Sequence, residues 1–259
     1  MTESPDAVAR RHARILAIAG RTGSVAVDSL AAELAVTPQT IRRDLNLLAG
    51  RSLLSRVHGG AVVTSGVANL DREARRRVAS DAKAAIGRAA AALIPNGASL
   101  FVNIGTTTEA AARALVDHRD LLVVTNNLNV VDILADRPTI EVIAAGGRVR
   151  PSDRAVVGAL AMDFIRGFKT DYALIGASAI DEEGVLLDFD VDEVRVSQAI
   201  IAQSRAVILA ADRGKVGRPA PVRIGDMASI GHFVTDVLED ERLCSACARA
   251  GTQVVETGR

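Results

Sequence analysis

Apolar positions in the first sixty residues recur at helical intervals three times and then switch to alternation. Across 11–19, Ile15, Leu16 and Ile18 form one stripe of an amphipathic helix that Gly23 would stop. A shorter helix over 27–34 places Asp28 in its first turn, beside the positive end of the helix dipole. Ala35 and Val36 then make a tight turn into Thr37 and Pro38, which begin a third helix. The threonine hydroxyl can accept from an amide left open by the first turn, and proline suits the first helical position. In that helix Ile41, Leu45 and Leu48 point inward, leaving Gln39, Thr40, Arg42 and Arg43 on the outer side near the N-terminal end. After Gly50, suited to a left-handed C′ position, Leu53, Leu54, Arg56 and Val57 alternate as a strand. His58-Gly59-Gly60 supplies a hairpin turn, and 61–63 returns.

Three helices sharing one small core, the third running into a hairpin, describe a winged helix-turn-helix. The N-terminal end of the third helix is what such a unit presents to base edges in the major groove, and the hairpin touches the phosphate backbone or the minor groove. The candidate DNA-facing residues are therefore Thr37, Pro38, Gln39, Thr40, Arg42, Arg43, Arg56, His58, Gly59 and Gly60. Asp44 is expected on the helix surface or paired with an arginine of the same domain, not reading a base.

The rest of the chain has a different rhythm. Residues 64–77, with Ser65, Gly66 and a charged cluster, are expected as a linker between a DNA-binding domain over 1–63 and a second domain over 78–259. An alanine-rich helix over 78–94 ends at Pro95-Asn96-Gly97. Short continuous apolar runs follow at 100–104, 121–125, 140–144, 172–175, 206–210 and 230–235. Helical segments separate or follow them near 107–116, 128–135, 158–166, 191–204 and 239–250. This order implies an α/β, Rossmann-like domain with a mostly parallel sheet covered on both faces.

In such a sheet, ligands bind beyond the carboxyl ends of the strands. Polar and glycine residues gather there: Gly105-Thr106-Thr107-Thr108, Asn126-Asn127, Gly146-Gly147-Arg148, Gly176-Ala177-Ser178, and Asp212 with Lys215. The threonine run opens a helix, so amides, dipole and hydroxyls converge as an anion site. Amides and a carboxylate suit sugar hydroxyls, and Lys215 is one of three lysines beside 28 arginines, a compact charge suited to phosphate.

Charge sharpens this division. The chain is neutral overall, with 31 basic and 31 acidic residues, but residues 1–60 hold eight arginines against five acids. The first domain thus carries about +3 and the remainder about −3, and the basic part is the part that would meet phosphates. Only six aromatics occur, none in the first 60 residues, which disfavours a stacking platform for single strands and favours duplex DNA. No apolar run approaches the roughly 18 residues of a membrane span, and the polar, acidic start is not a secretory signal, so a cytoplasmic protein is expected. Cys244 and Cys247 form a C-x-x-C, but His12, His58, His118 and His232 do not cluster near it. Reduced thiols on a helix are expected, not a metal site.

Residues 8–62 resemble the DeoR-type winged helix through Arg14, Ile15 and Ile18, Thr40-Ile41-Arg42-Arg43-Asp44-Leu45, and Arg56-Val57-His58-Gly59-Gly60-Ala61. The second half resembles the DeoR sensor domain along nearly its full length. That likeness runs through Asn103-Ile104-Gly105-Thr106-Thr107-Thr108, Thr125-Asn126, Gly146-Gly147-Arg148, Ile175-Gly176-Ala177, Glu193, and Asp212 with Lys215. The resemblance implies a bacterial transcriptional regulator, most often a repressor, with a sensor similar in fold to ribose-phosphate isomerases and CoA transferases. It implies a phosphorylated sugar or polyol held by Asn103, Gly105, Thr106, Thr107, Thr108, Asn126, Gly147, Arg148, Ser178, Glu193, Asp212 and Lys215. Three departures leave the effector open: Asn103 where aspartate is common, Leu187-Asp188-Phe189-Asp190 in a stretch that often carries threonine, and Arg213-Gly214 before the lysine.

The expected partners are double-stranded operator DNA, a sugar phosphate and at least one further copy of the chain, since one recognition helix covers one half-site. No cofactor, metal or membrane is expected. The alternative is a sugar-phosphate isomerase carrying an accessory DNA-binding domain. Isomerases of this fold often use an Asp-Gly-Ala-Asp segment; here Gly176 to Asp181 lacks the first acid, leaving Asp181, Asp188 or Glu193 as a base.

Overall fold

A computed structural model describes residues 5–22, 24–50, 55–57, 60–62 and 79–258. The chain divides into two compact units, Met1–Leu70 and Asp71–Arg259. The expected linker, 64–77, lies outside the described residues, as do Gly23, Leu53, Leu54, His58 and Gly59.

In the first unit the helices are α1 (Pro5–Thr22), α2 (Val27–Glu33) and α3 (Pro38–Gly50). Ile15, Ala19, Leu30, Ile41, Leu45 and Leu48 are buried in one shared cluster, as the periodicity requires. The first helix begins at Pro5, earlier than the apolar stripe shows, and Gly50 is the last residue of α3 instead of following it. The strands are β1 (Ser24–Ala26), β2 (Ser55–Val57) and β3 (Gly60–Val62), in the order β1-β3-β2. Ala61 lies opposite both Val25 and Arg56 in this antiparallel sheet. The hairpin therefore gains a third strand that three residues between helices could not announce by alternation.

Two local devices hold α3 in place. The α2–α3 turn is a Schellman closure, in which the Val36 amide donates to Ala31 O at 3.1 Å and the Ala35 amide to Ala32 O at 3.4 Å. Its left-handed position is occupied by Ala35, at φ 52°, where a side chain is disfavoured. Deeper in, the buried Asp44 carboxylate accepts from Arg11 Nε at 2.6 Å and Nη2 at 3.2 Å, and lies 2.9 Å from His12 Nε2. Burial opposes the Asp44 charge, but Arg11 and His12 more than compensate and hold its pKa below the usual value. The resulting stability is present above the ordinary carboxylate range and lost as pH falls through the lowered folded value.

The second unit is built on a seven-stranded, wholly parallel sheet: β4 (Ser99–Val102), β5 (Leu121–Thr125), β6 (Ile140–Ala144), β9 (Thr170–Ile175), β12 (Ser204–Ala210), β14 (His232–Thr235) and β15 (Gln253–Glu256). Their order is β15-β14-β12-β9-β4-β5-β6. Consecutive residues of one strand serve opposite faces. Phe101, Ala173, Ile175, Val207 and Leu209 join one buried cluster, while Leu100, Val102, Leu174, Ile208 and Ala210 join the other. This is why the strands read as unbroken apolar runs.

The helices are α4 (Ser80–Ala92), α5 (Thr106–Ala114), α6 (Leu128–Leu134), α7 (Ala159–Arg166), α8 (Val191–Ala202) and α9 (Glu241–Ala250). A Cβ on Gly87 of α4 would lie 2.6 Å from the Ala110 carbonyl carbon, so α4 and α5 meet backbone to backbone. Not anticipated were a hairpin of β7 (Arg148–Arg150) with β8 (Ala155–Val157), and an antiparallel sheet of β10 (Ala179–Ile180), β11 (Val185–Asp188) and β13 (Val222–Asp226). Among the described residues no helix is long and apolar enough to cross a membrane.

Two stability measurements follow. Ala35→Gly relieves the left-handed strain and should stabilise the first unit by about 0.5–1 kcal/mol in denaturant unfolding, after allowing for a more flexible unfolded chain; a loss of stability would contradict the turn geometry. Asp44→Ala removes the buried carboxylate that Arg11 and His12 share and should cost about 3–5 kcal/mol, read as loss of a cooperative transition for this unit.

Candidate DNA-reading helix and effector pocket

The start of α3 is open. Thr37 Oγ1 accepts from the Thr40 amide at 3.2 Å and lies 3.0 Å from Thr40 Oγ1, so the N-cap expected from the sequence is in place. No acidic residue occupies the first turn of α3, leaving its positive end uncompensated by the helix itself. Thr37, Pro38, Gln39, Arg42 and Arg43 are exposed and Thr40 is half-buried. Arg56 lies in β2 and Gly60 begins β3, whereas His58 and Gly59 fall outside the described residues. Asp44, next to Arg43 in sequence, faces inward to Arg11 and His12 as described, so α3 sets its basic and acidic positions on opposite sides.

In the second unit, a small, partly open cleft lies at the carboxyl ends of β4 and β9. It is lined by Ile104, Gly105, Thr106, Thr107, Thr108, Gly176, Ala177, Ser178, Asp188, Glu193 and Lys215. Gly105 takes φ 142° and brings β4 into α5 with no side chain capping the helix, so the first amides of α5 have no side-chain acceptor. A Cβ at Gly105 would come within 3.2 Å of Thr108 Oγ1. That hydroxyl donates back to the carbonyls of Asn103 and Gly105, both at 2.8 Å, and thus holds the turn instead of facing a ligand.

Across the cleft, Glu193 sits in the first turn of α8 and accepts from Arg150 Nη2 at 2.6 Å. The same guanidinium donates to Asp153 through Nε at 2.9 Å and Nη2 at 2.6 Å, and to Asp190 through Nη1 at 2.9 Å. Burial first, then the neighbouring charge of Asp188, push the Glu193 carboxyl up to about 7 against the pull of Arg150.

Seven of the twelve expected effector residues therefore line one cleft: Gly105, Thr106, Thr107, Thr108, Ser178, Glu193 and Lys215. Five do not. Asn103 is buried behind the wall, its Nδ2 donating to Ser197 Oγ at 2.8 Å and its Oδ1 accepting from the Ile104 amide at 2.8 Å. Asn126 does not line the cleft; its Nδ2 donates to Val156 O of β8 at 3.2 Å, while its buried Oδ1 has no hydrogen-bond partner among the described residues. Gly147, at φ 144°, makes room for Val156, 3.1 Å from where its Cβ would lie. Arg148 is exposed and pairs with Asp192 at 2.8 Å. Asp212 caps the short 3-10 turn Arg213–Lys215 by accepting from the Gly214 amide at 3.0 Å, and so places Lys215 without lining the cleft itself. A side chain at 214 would meet that oxygen at 2.8 Å, which accounts for glycine there.

Asp188 lines the cleft and Arg150 braces it, and neither was singled out as an effector contact. For Asp188 the signals were its place in a stretch that departs from the family pattern and its candidacy as a base in the isomerase alternative. Arg150 could have been suspected from its alternation with Arg148, but its three carboxylate partners come from 40 or so residues away as well as from its own loop. Asp181 accepts from the Glu183 and Val185 amides at 3.0 and 2.8 Å and shapes the β10–β11 turn; it does not line the cleft. Cys244 is exposed and Cys247 buried, and no metal-binding cluster occurs among the described residues.

The family model for the DeoR C terminal sensor domain matches residues 78–237, and that for the DeoR-like helix-turn-helix domain matches residues 11–67. The glycerol-3-phosphate regulon repressor of Haemophilus influenzae is 44% identical over 225 residues, covering 87% of this chain and 88% of that protein. The protein of the same name from Escherichia coli is 42% identical, covering 88% and 90%. A ribose 5 phosphate isomerase A from Neisseria gonorrhoeae overlays 52% of this chain and 53% of its own at 12% identity and a TM-score of 0.40, too slight a likeness to bear on activity. The chain belongs to the DeoR family and is a DNA-binding transcriptional regulator.

Replacing Arg42 and Arg43 together with alanine should abolish specific operator binding in a gel shift. The slope of log affinity against log salt should fall by about one to two for residual binding. Unchanged binding would displace α3 as the reading helix.

Proposed function

We propose that this regulator is a repressor whose operator affinity is set by a phosphorylated sugar or polyol bound in the α5–Lys215 cleft. The observation that carries this is the meeting of opposite chemistries in one cleft. The uncapped turn of α5 and Lys215 suit a phosphate, and Asp188, Glu193 and Ser178 suit hydroxyls. The names of the two repressors above make glycerol 3-phosphate the first effector to try. The regulation needs no resident cofactor. It needs only that the effector bind DNA-competent and DNA-incompetent conformations unequally, about 1.4 kcal/mol of difference giving a tenfold change in occupancy. One reading helix per chain supports a homodimer or larger assembly on a repeated site.

Thermal-shift screening against phosphorylated sugars and polyols, followed by a gel shift on the chain's own upstream DNA with the hit, gives effector and sign together. Lys215→Ala and Thr107→Asp should each lose the effector response while keeping operator binding. A variant that still responds normally would remove the cleft from the switch.

A further inference from the structure

The cleft holds more negative charge than a phosphate alone calls for. Asp188 is 3% exposed and the Glu193 side chain 12% exposed, and both line it. The cation bonded to Glu193 is Arg150, whose single charge is divided among Asp153, Asp190 and Glu193, so this corner is net negative before any ligand enters. Asp188 Oδ1 accepts from the Phe189 amide at 2.7 Å, a backbone contact that adds no positive charge. The compensating elements, Lys215 and the first turn of α5, also line the cleft and are the part suited to phosphate. The elevated Glu193 pKa, caused by burial and then by Asp188, is the electrostatic expression of this crowding.

Resting on the effector reading above, we infer that Asp188 and Glu193 set the class of effector: they accept hydroxyls at the polyol end of a phosphorylated ligand and exclude a carboxylate in the same place. A hydroxyl can donate to either acid, and it can also accept from Glu193 when that group is protonated. A ligand carboxylate would instead set a third anion beside two that Arg150 already fails to balance, and like charges so placed oppose binding strongly. Arg150 acts as a positioning residue, fixing the Glu193 carboxyl on the cleft wall from β7.

The test uses ligand pairs that differ only by a terminal CH2OH or carboxylate: glycerol 3-phosphate with 3-phosphoglycerate, and sorbitol 6-phosphate with 6-phosphogluconate. Titration calorimetry on the full chain at pH 8 should show the polyol of the bound pair favoured by about 100-fold or more. Glu193→Gln and Asp188→Asn should each shrink that ratio by about tenfold. In the unaltered chain the ratio should also narrow at pH 6, where Glu193 is largely protonated. A ratio near one, or a ratio unchanged in both variants, overturns the inference while leaving the effector reading intact. If one variant loses both ligands, the other variant and the pH comparison decide, and a constant ratio there overturns it. Binding of none of the four ligands overturns the effector reading and this inference with it.

Discussion

Everything in the second unit that touches the cleft depends on how β4 becomes α5. A strand that turns straight into a helix leaves the helix's first amides without partners, and here no side chain takes them up. Gly105 makes the turn possible through a positive φ, and Thr108 ties it by donating to two carbonyls at once. Gly87 then lets α4 press on the backbone of α5, so the helix that presents those amides is fixed from behind. The result is a turn whose first amides are uncapped at the cleft, in keeping with the anion sites of α/β folds, although the buried Glu109 in the same first turn, bonded to Asn129 and near Arg113, offsets part of the dipole.

The opposite wall is organised by charge. Arg150 collects carboxylates from its own loop, from the N-cap of α8 and from the first turn of α8. The helix start is thereby joined to the β7–β8 hairpin, and Glu193 is held facing the cleft. Burial of the Glu193 carboxyl and, after it, the neighbouring charge of Asp188 outweigh the pull of Arg150 and push its pKa up to about 7. Lys215 and the start of α5 thus line the same space as Asp188 and Glu193, and it is this mixture that the effector reading proposed above rests on.

In the first unit the same logic is turned to rigidity. Asp44 draws its partners from α1 and so sets α3 against the core, leaving the exposed Arg42 and Arg43 for the outside. A reading helix must keep its orientation to meet base edges in register, and a buried bridge between helices restricts rotation that apolar packing alone would permit.

The helices and six of the seven strands of the parallel sheet were legible in the chain because their signals are local. Ile41, Leu45 and Leu48 repeat at helical spacing, Thr37-Pro38 marks a start, and 121–125 and 140–144 are unbroken apolar runs. The gathering of Gly105 to Thr108, Ser178, Glu193 and Lys215 was legible too, through strand ends and the family resemblance together. What lay beyond the sequence were pairings between distant segments. Strands of two to five residues such as β1, β10 and β13 exist because partners elsewhere supply their hydrogen bonds, and β15 because β14 offers an edge. Asn103 has the composition of a ligand contact but is consumed by Ser197 and the Ile104 amide, Asn126 turns its amide nitrogen to Val156 and does not line the cleft, and Arg150 acquires its role only when α8 is brought to β7. Sequence by itself determined which residues could form each helix, strand and cap, since those choices depend on neighbours a few positions away. Tertiary structure alone decided which polar groups came to line one cleft, since that depends on which distant segments meet there and on which groups the rest of the fold turns elsewhere.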